Sequence, residues 1–283
     1  MLTAPLPLVT MRHSRISNIP EVSIELSLEG RWALVGGASQ GIGKTTAQLL
    51  AERGARVILM SRRHDVLEAT RMKMPNPQNH RSLAIDLERL EEVSKNIARL
   101  AADIGPITIW VNNTGGPKSG PLTDASPDEM ERAFRGHVLA SQVILRTLLP
   151  GMKSISHGRI INVLSTSVKI PLPNLGVSNI IRAGMASWAK TLSQEVAPFG
   201  ITVNNVLPGF TDTPRLDALA TGAAAKNGKT KAEIKKDWAE SVPMKRLADP
   251  RETAQAIAFL ASDQAAYISG TSLPVDGART GAF

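Results

Sequence analysis

Short apolar runs alternate with longer stretches of helical periodicity from residue 31 onwards. The runs are rich in β-branched residues, which favour strands. Continuous apolar strands separated by helices are typical of a parallel sheet that is covered on both faces. The pattern therefore predicts one α/β domain with a doubly wound parallel sheet. The predicted strands lie at 31–35, 56–60, 82–85, 107–111, 159–164 and 201–206.

Two helix starts can be predicted from capping chemistry. The segments Ser-Pro-Asp-Glu at 126–129 and Asp-Pro-Arg-Glu at 249–252 each place a cap, then a proline, then a glutamate three positions after the cap. Long helices are predicted at 127–149 and 176–197. These helices carry apolar residues on more than one face, so one face is expected to contact a second subunit in a homodimer or homotetramer.

No linker rich in glycine or serine divides the chain, so one domain is expected at 28–283. Residues 1–27 carry three prolines and two arginines before the first acidic residue, Glu21. This segment is predicted to be an N-terminal arm that is flexible or covers a partner, with an organelle presequence as the alternative.

Composition narrows the classes of protein and site that fit the chain. The 283 residues are 42% hydrophobic and 20% charged, and there is no cysteine. Disulfides, thiolate catalysis and metal sites built on sulfur are excluded, and no metal site is predicted. No stretch of about 18 uncharged apolar residues is present, which excludes a membrane-spanning helix. A cytoplasmic protein is expected.

The formal net charge of +8 raises the question of nucleic-acid binding. The basic residues are scattered along the chain, and acidic residues accompany most of them. The densest cluster is interleaved with alanine and is interpreted as a solvated helix face, with an anion-facing surface as the alternative. No nucleic-acid partner is predicted. The cluster consists of Lys226, Lys229, Lys231, Lys235 and Lys236.

A glycine-rich segment follows the first predicted strand and leads into a helix predicted at 44–53. Its sequence is Gly-Gly-Ala-Ser-Gln-Gly-Ile-Gly at 36–43. Glycines allow a tight turn and a close approach to a pyrophosphate, and the free N–H groups of a helix start favour an anion. The segment predicts a dinucleotide site, with a purely structural turn as the alternative. The residues assigned to the cofactor are Gly37, Ser39, Gln40, Gly41, Ile42 and Gly43.

The end of the second predicted strand distinguishes the two nicotinamide cofactors. A carboxylate there would hold a free ribose 2′-hydroxyl, whereas a basic residue would accept a 2′-phosphate. The chain has Ser61, Arg62 and Arg63, which favours NADP(H) over NAD(H), with Arg62 as the main phosphate partner. The alternative is that both arginines only solvate the strand end. Asp86 and Leu87 are assigned to the adenine end, with an ordinary loop aspartate as the alternative.

Further motifs follow the later strands in a fixed order. They are Asn-Asn-Thr-Gly at 112–115, Asn-Val-Leu-Ser at 162–165, Pro-Gly-Phe-Thr-Asp-Thr at 208–213, Tyr-Ile-Ser-Gly at 267–270 and Val-Asp-Gly at 275–277. With the glycine-rich segment, these motifs resemble the short-chain dehydrogenase/reductase family over residues 27–280. The resemblance implies a Rossmann-like sheet of about seven strands and a hydride passed between nicotinamide and a small-molecule substrate.

The resemblance also assigns residues along the cofactor and over the substrate. The segment 211–243 corresponds to the region of the family that covers the substrate, and one or two mobile helices are expected there. The later cofactor contacts that the resemblance implies are Asn113, Gly115, Arg182, Pro208, Gly209, Thr211 and Thr213.

The catalytic positions depart from the family pattern of Asn, Ser and Tyr-x-x-x-Lys. Ser165 matches the serine, but the count of 13 residues from it places Ser178 at the tyrosine position and Arg182 at the lysine position. His137 falls at the asparagine position. An aliphatic hydroxyl is a far weaker acid than a phenol, and arginine does not take part in a proton relay as lysine does.

Two functions remain open after this comparison. The first is an NADP(H)-dependent oxidoreductase with a rearranged proton donor, acting on a small carbonyl, an imine or an activated alkene. His137, which titrates near pH 6.5 when unperturbed, is a candidate donor, with a packing histidine as the alternative. The second is a cofactor-binding relative of such enzymes that does not turn over. Lys169 and Asn179 are weaker candidates for the missing donor.

Overall fold

The computed structural model describes residues 26–282, and most of the predicted arm at 1–27 therefore lies outside the described residues. Seven parallel strands form one sheet in the order β3-β2-β1-β4-β5-β6-β7. The strand order reverses between β1 and β4, which is the doubly wound arrangement predicted from the sequence. The strands are β1 (Trp32–Gly36), β2 (Arg56–Ser61), β3 (Arg81–Ala84), β4 (Ile107–Asn112), β5 (Gly158–Val163), β6 (Ile201–Pro208) and β7 (Ser272–Val275).

Helices cover both faces of this sheet. One apolar layer packs α1, α2 and α9 against the sheet, and a second packs α3, α5 and α6 against the opposite face. Both layers are built from side chains with little or no solvent exposure, as the continuous apolar strands require. The helices are α1 (Gly41–Glu52), α2 (His64–Arg71), α3 (Leu90–Ile104), α4 (Pro127–Phe134), α5 (Ala140–Ser154), α6 (Gly176–Val196), α7 (Pro214–Asn227), α8 (Lys231–Ser241) and α9 (Pro250–Ala261).

Both capping sequences begin helices as predicted. Ser126 caps α4 and Asp249 caps α9, and each forms a capping box with the glutamate three residues later. The long helix predicted at 127–149 is divided, however, because one π-helical turn at Arg135–Leu139 separates α4 from α5. The helix predicted at 44–53 begins three residues earlier, at Gly41, so the glycine-rich segment itself supplies its first turn.

Side-chain hydrogen bonds link three buried asparagines and one half-buried serine across the neighbouring strands β4 to β7. Asn112 Nδ2 donates to Asn162 Oδ1 at 2.8 Å, and Asn162 Nδ2 donates to Asn205 Oδ1 at 3.0 Å. Asn205 Nδ2 then donates to Ser272 Oγ at 3.0 Å. These residues are direct neighbours in the strand register, and we call them the amide ladder. The ladder ties the four strands together and reaches the carboxyl ends of β4 and β5, on which part of the site is built.

The segment at 211–243 contains two helices, α7 and α8, next to the carboxyl ends of the strands. Phe210 stacks on Trp238 of α8 with ring centroids 5.0 Å apart. Four of the five clustered lysines form ion pairs on this segment, with Asp212, Asp217, Asp237 and Glu240. The cluster is therefore largely neutralised locally, in agreement with the solvated helix face.

The described residues hold neither a membrane-spanning helix nor a cluster of metal ligands. None of the helices within residues 26–282 has the length and apolarity needed to cross a membrane. Within the same residues, no three His, Asp or Glu side chains are grouped so that they could hold a metal ion.

Candidate active site

One cavity of about 1440 Å³ runs along the carboxyl ends of the strands. Its walls include every residue that the sequence assigned to the cofactor except Gly43, and the four main catalytic candidates Ser165, Ser178, Arg182 and His137. Gly43 lies behind the turn, where an added Cβ would stand 2.4 Å from the Gly37 carbonyl oxygen. The parallel strands bring these residues together because all their carboxyl ends lie at one edge of the sheet.

The glycine-rich turn has a backbone that side chains would disturb. Gly37 and Gly41 have φ angles of +60° and +53°, in the left-handed region that favours glycine. Asn113 holds the turn from the end of β4, because its Nδ2 donates to the Gly36 carbonyl at 3.1 Å. An added Cβ on Gly37 would stand 2.6 Å from the same Nδ2 atom. The turn therefore leaves backbone N–H groups at the start of α1 open to the cavity.

Arg63 connects the end of β2 with this turn. Its Nη2 donates to Ser39 Oγ at 3.2 Å and to Gln40 Oε1 at 3.0 Å. Ser61 Oγ accepts from the Arg63 backbone N–H at 3.2 Å, so the Ser61 hydroxyl shapes the strand end. Arg62 is exposed on the cavity wall. The two guanidinium groups thus give this end of the cavity a local positive charge.

Asp86 and Leu87 follow β3 at the same end of the cavity. Asp86 Oδ1 accepts from the Glu88 backbone N–H at 3.0 Å, which gives the loop a local turn. Leu87 is half-buried against the apolar layer formed with α3. Both residues line the cavity, and the Asp86 carboxylate keeps acceptor capacity for a ligand.

The loop after β6 forms the opposite wall. Gly209 packs against Asp276, and an added Cβ there would stand 2.7 Å from Asp276 Cβ. Thr213 caps α7, since its Oγ1 accepts from the Leu216 N–H at 3.3 Å. Thr211 is buried, and Pro208 ends β6 beside it. A Cβ added to Gly41 would meet Thr213 at 3.2 Å, so the start of α7 lies directly on the glycine-rich turn.

Ser165, Ser178 and Arg182 all line the cavity. Ser165 lies two residues after β5, and its Oγ accepts from the Ser167 N–H at 3.0 Å. Ser178 and Arg182 lie one turn apart on α6, so they share one helix face. Arg182 Nη1 donates to the Val163 carbonyl at 2.7 Å, and its Nε has no partner among the described residues.

Burial is the main cause of the pKa shifts of Arg182 and His137. Burial, and secondarily the charge of Arg215, lowers the pKa of Arg182 to about 10, so the guanidinium remains charged at neutral pH. Burial, and secondarily the charge of Arg182, lowers the pKa of His137 to about 3. His137 is therefore a neutral imidazole near pH 7.

His137 lies in the π-helical turn and is anchored on both its side chain and its backbone. Its Nδ1 is 2.6 Å from Thr114 Oγ1. Its backbone carbonyl accepts from Ser141 Oγ at 2.5 Å, and Ser141 in turn accepts from Asn112 of the amide ladder. π-helical turns are rare and occur frequently at functional sites. The contact with Thr114 could not be predicted from the sequence, because the two residues are 23 positions apart.

Arg215 also lines the cavity but was not assigned from the sequence. It lies in the first turn of α7, and its Nη2 donates to the Pro117 carbonyl at 2.8 Å. An added Cβ on Gly116 would stand 3.0 Å from the same Nη2. The feature of the sequence that could have identified Arg215 is its position two residues after Thr213. By contrast, Asn179 donates to the Leu172 carbonyl, and neither Asn179 nor Lys169 lines the cavity.

Comparison with known proteins places this site in a family. The model of the enoyl-(acyl carrier protein) reductase family matches residues 37–280. The chain is 35% identical to the 3-oxoacyl-[acyl-carrier-protein] reductase FabG of Vibrio cholerae serotype O1, over 89% of this chain and 98% of that protein. It is 30% identical to the NADPH-dependent reductase BacG of Bacillus subtilis, over 87% and 96% of the two chains.

A solved structure agrees with these relatives. L-sorbose reductase from Gluconobacter frateurii, complexed with NADPH and L-sorbose, superposes with a TM-score of 0.86. The two proteins are 29% identical, and the match covers 92% of this chain and all of the other. The chain therefore belongs to the short-chain dehydrogenase/reductase family.

Proposed function

We propose that this protein is an NADP(H)-dependent oxidoreductase that transfers a hydride to or from a small carbonyl, imine or activated alkene. One observation carries the proposal. A single cavity connects the arginines at the end of β2, the glycine-rich turn, and the group of Ser165, Ser178 and Arg182. A nicotinamide dinucleotide needs such a continuous path, because its phosphates and its reacting ring are far apart.

The residues of the cavity fit the cofactor along its length. The open N–H groups at Gly41 and Ile42 suit the diphosphate, because the start of α1 favours an anion. Arg62 and Arg63 suit a 2′-phosphate, and Asp86 with Leu87 suits the adenine. Bound nicotinamide supplies or accepts the hydride. BacG is named as NADPH-dependent and the sorbose reductase contained NADPH, which supports the same choice for this chain.

Further residues would hold the ribose and nicotinamide end. Gly115 faces open space, since an added Cβ would meet no atom within 4 Å. The backbone around Gly209 and Thr211, with the Thr213 hydroxyl, would hydrogen-bond the carboxamide. Arg182 would bond the nicotinamide ribose. Together these contacts would orient one face of the ring towards Ser165.

At the reacting end, the charge of Arg182 and the hydroxyls of Ser165 and Ser178 would stabilise negative charge that develops on a substrate oxygen. None of these groups is a ready proton donor at neutral pH. A neutral His137 is likewise a weak acid, so its role would be to hold Thr114 and the loop after β4. Substrates already activated towards hydride, such as an iminium ion or a polarised enone, suit this arrangement best.

NADPH absorbance tests the proposal directly. Wild type and the double variant Ser178→Tyr/Arg182→Lys would be assayed in parallel against diketones, ketoacyl thioesters, quinones and cyclic imines. We expect wild type to consume NADPH and form a defined reduced product with an activated substrate. Efficient reduction of plain ketones by wild type would contradict the rearranged proton donor. The expected loss from a missing acid is about 10²- to 10⁴-fold in rate.

The substitutions at 178 and 182 support a second candidate, a cofactor-binding relative without redox turnover. In that case NADPH would bind to wild type with no consumption, and only the double variant would turn over. Product formation by wild type would dismiss this candidate.

Two further assignments belong to the same proposal. The segment at 211–243 would cover the substrate, because α7 begins on the glycine-rich turn and Leu216 and Leu219 line the cavity. The apolar groove between α4 and α6 would pack against a second copy of the chain in a homodimer or homotetramer. Phe134 and Ile180 in this groove are 48% and 43% exposed, which supports an interface there.

A further inference from the structure

Two arginines at the inner end of the cavity have no acidic partner. Arg182 is only 9% exposed, donates to one backbone carbonyl and leaves its Nε without a partner among the described residues. Arg215 is more exposed to the cavity and also donates to a backbone carbonyl. Within residues 26–282, neither forms an ion pair with Asp or Glu.

The two guanidinium groups line the same cavity. Arg215 lowers the pKa of Arg182, after the larger effect of burial. Like charges in a partly desolvated site destabilise one another unless an anion lies between or beside them. A bound anion beside Arg215 would offset this repulsion.

The acidic residues that line the cavity lie elsewhere. Asp86 and Glu88 follow β3 at the adenine end, and Asp124 and Glu129 lie around the start of α4. Glu129 is engaged in its capping box. On the α7 side, the ionisable residues that line the cavity are Arg215, Lys226 and Arg279, all basic. This side therefore attracts anions.

The phosphates of the proposed cofactor already have other partners. The 2′-phosphate would lie at Arg62 and Arg63, and the diphosphate at the start of α1. Arg182 and Arg215 remain at the end where the substrate reacts, one below the β5 end and one on the α7 side. A guanidinium binds a carboxylate through two parallel N–H···O bonds, which suits a small substrate anion better than a single point charge does.

We propose that Arg215 binds a carboxylate of the substrate, so that the substrate class is small oxo acids, while Arg182 adds positive charge on the wall of the same cavity. The inference rests on the proposed function, which assigns the rest of the cavity to NADP(H). It goes beyond that function by naming the charged group that the substrate carries. Arg215 would act as the substrate-binding residue, and the contact with Pro117 would hold its side chain across the cavity.

Calorimetric titration tests this inference without any turnover. The probes are 2-oxopentanoate and 4-oxopentanoate, each paired with its methyl ester, titrated into protein with and without saturating NADP⁺. Wild type is expected to bind at least one acid about 10- to 100-fold more tightly than its ester, the range of a charge-assisted hydrogen-bond pair. Arg215→Gln should bring the ratio close to one, and Arg215→Lys should restore part of it.

Lys226→Gln is the matched control, because Lys226 is an exposed cation on the same cavity wall. It should keep the wild-type ratio, and all three variants should bind NADP⁺ within about threefold of wild type. Equal binding of acids and esters by wild type, or binding of neither, would overturn the inference. So would a tenfold loss of NADP⁺ affinity in Arg215→Gln with an unchanged acid-to-ester ratio, which would assign Arg215 to the cofactor diphosphate.

The proposed function can fail separately. If wild type binds no NADP⁺, the oxidoreductase proposal fails, while titration of the free protein still gives the acid-to-ester ratio. If NADP⁺ binds and no acid preference is found, the oxidoreductase proposal stands and the oxo-acid class is rejected.

Discussion

Arg63 joins two parts of the cavity that the chain supplies separately. Its guanidinium bonds Ser39 and Gln40 of the glycine-rich turn, while its backbone lies two residues after β2, at the start of α2. The sequence favoured Arg62 as the main phosphate partner, but Arg63 is the residue that bonds the glycine-rich turn. Spacing alone cannot show which of two adjacent side chains turns inward. Arg62 remains exposed on the cavity wall, so both residues are placed to meet a phosphate.

Removal of both charges should abolish the cofactor preference. For Arg62→Gln/Arg63→Gln we expect the affinity for NADP⁺ to fall about 10- to 100-fold, because charged hydrogen bonds to a phosphate are lost. The affinity for NAD⁺ should change little. Fluorescence titration with both nucleotides measures this, and Arg89→Gln, which alters an exposed arginine that pairs with Glu92, is the control. An equal loss for both nucleotides would mean that the arginines support the turn instead of the phosphate.

His137 shows what sequence could and could not establish about the catalytic residues. The count from neighbouring motifs located Ser165, Ser178, Arg182 and His137, and the structure places all four on one cavity. The protonation state of His137 was beyond the sequence. It follows from burial and from the charge of Arg182, which reaches His137 only through the fold. Arg215 was missed for the same reason, since its neighbours come from distant parts of the chain.

At the scale of elements, six strands were predicted from their apolar runs to within two residues at either end. Strands of this kind are buried on both faces and read as continuous apolar segments. The interruption between α4 and α5 could not be predicted. Hydrogen bonds from Ser141 and around Thr114 hold it in place, and these depend on where β4 ends.

The amide ladder should contribute substantially to stability. Asn162→Leu would leave Asn112 without one acceptor and Asn205 without its donor, both in a buried environment. We expect the free energy of unfolding to fall by about 2–4 kcal/mol. Urea denaturation measures the change.

Thr202→Val on neighbouring β6 provides a matched control. Thr202 is buried, but its Oγ1 has no hydrogen-bond partner among the described residues. Its replacement by an apolar residue of the same shape should change the free energy of unfolding by less than about 0.5 kcal/mol. Equal destabilisation by the two variants would show that the ladder has no special role.

At the scale of the whole molecule, the groove between α4 and α6 should control assembly. Phe134→Glu/Ile180→Glu places two charges in this apolar groove, so a dimer or tetramer should dissociate to monomers. Light scattering after gel filtration measures the mass. Met72→Glu alters another exposed apolar side chain, 61% accessible and outside the groove, and should leave the assembly intact. A monomeric wild type at micromolar concentration would reject the interface.

The buried histidines should make the fold sensitive to mild acid. Burial lowers the pKa of His137 to about 3, and burial with the charges of Arg159 and Arg31 lowers the pKa of His157 to about 4. Both groups ionise near pH 6.5 in the unfolded chain, which therefore binds more protons than the folded chain below that pH. The free energy of unfolding should fall as the pH drops from about 6.5 to 4, with His137 alone contributing about 2 kcal/mol at pH 5.

Denaturation curves at several pH values between 7.5 and 4.5 measure this dependence. His137→Gln and His157→Gln should each flatten it, whereas His64→Gln, at an exposed position, should not. A pH dependence identical in all four proteins would show that other groups cause the acid sensitivity.

The stack of Phe210 on Trp238 has an optical consequence. Trp238 is one of four tryptophans; Trp32 and Trp110 are buried in the sheet layers, and Trp188 packs at their edge. Of the four, Trp238 is the one that lies in α8. The other ring of its stack, Phe210, has the Arg279 guanidinium 4.2 Å from its centroid. The emission difference between wild type and Trp238→Phe therefore isolates one fluorophore beside the cavity, and its quenching or red shift would report any displacement of α8 when ligands bind.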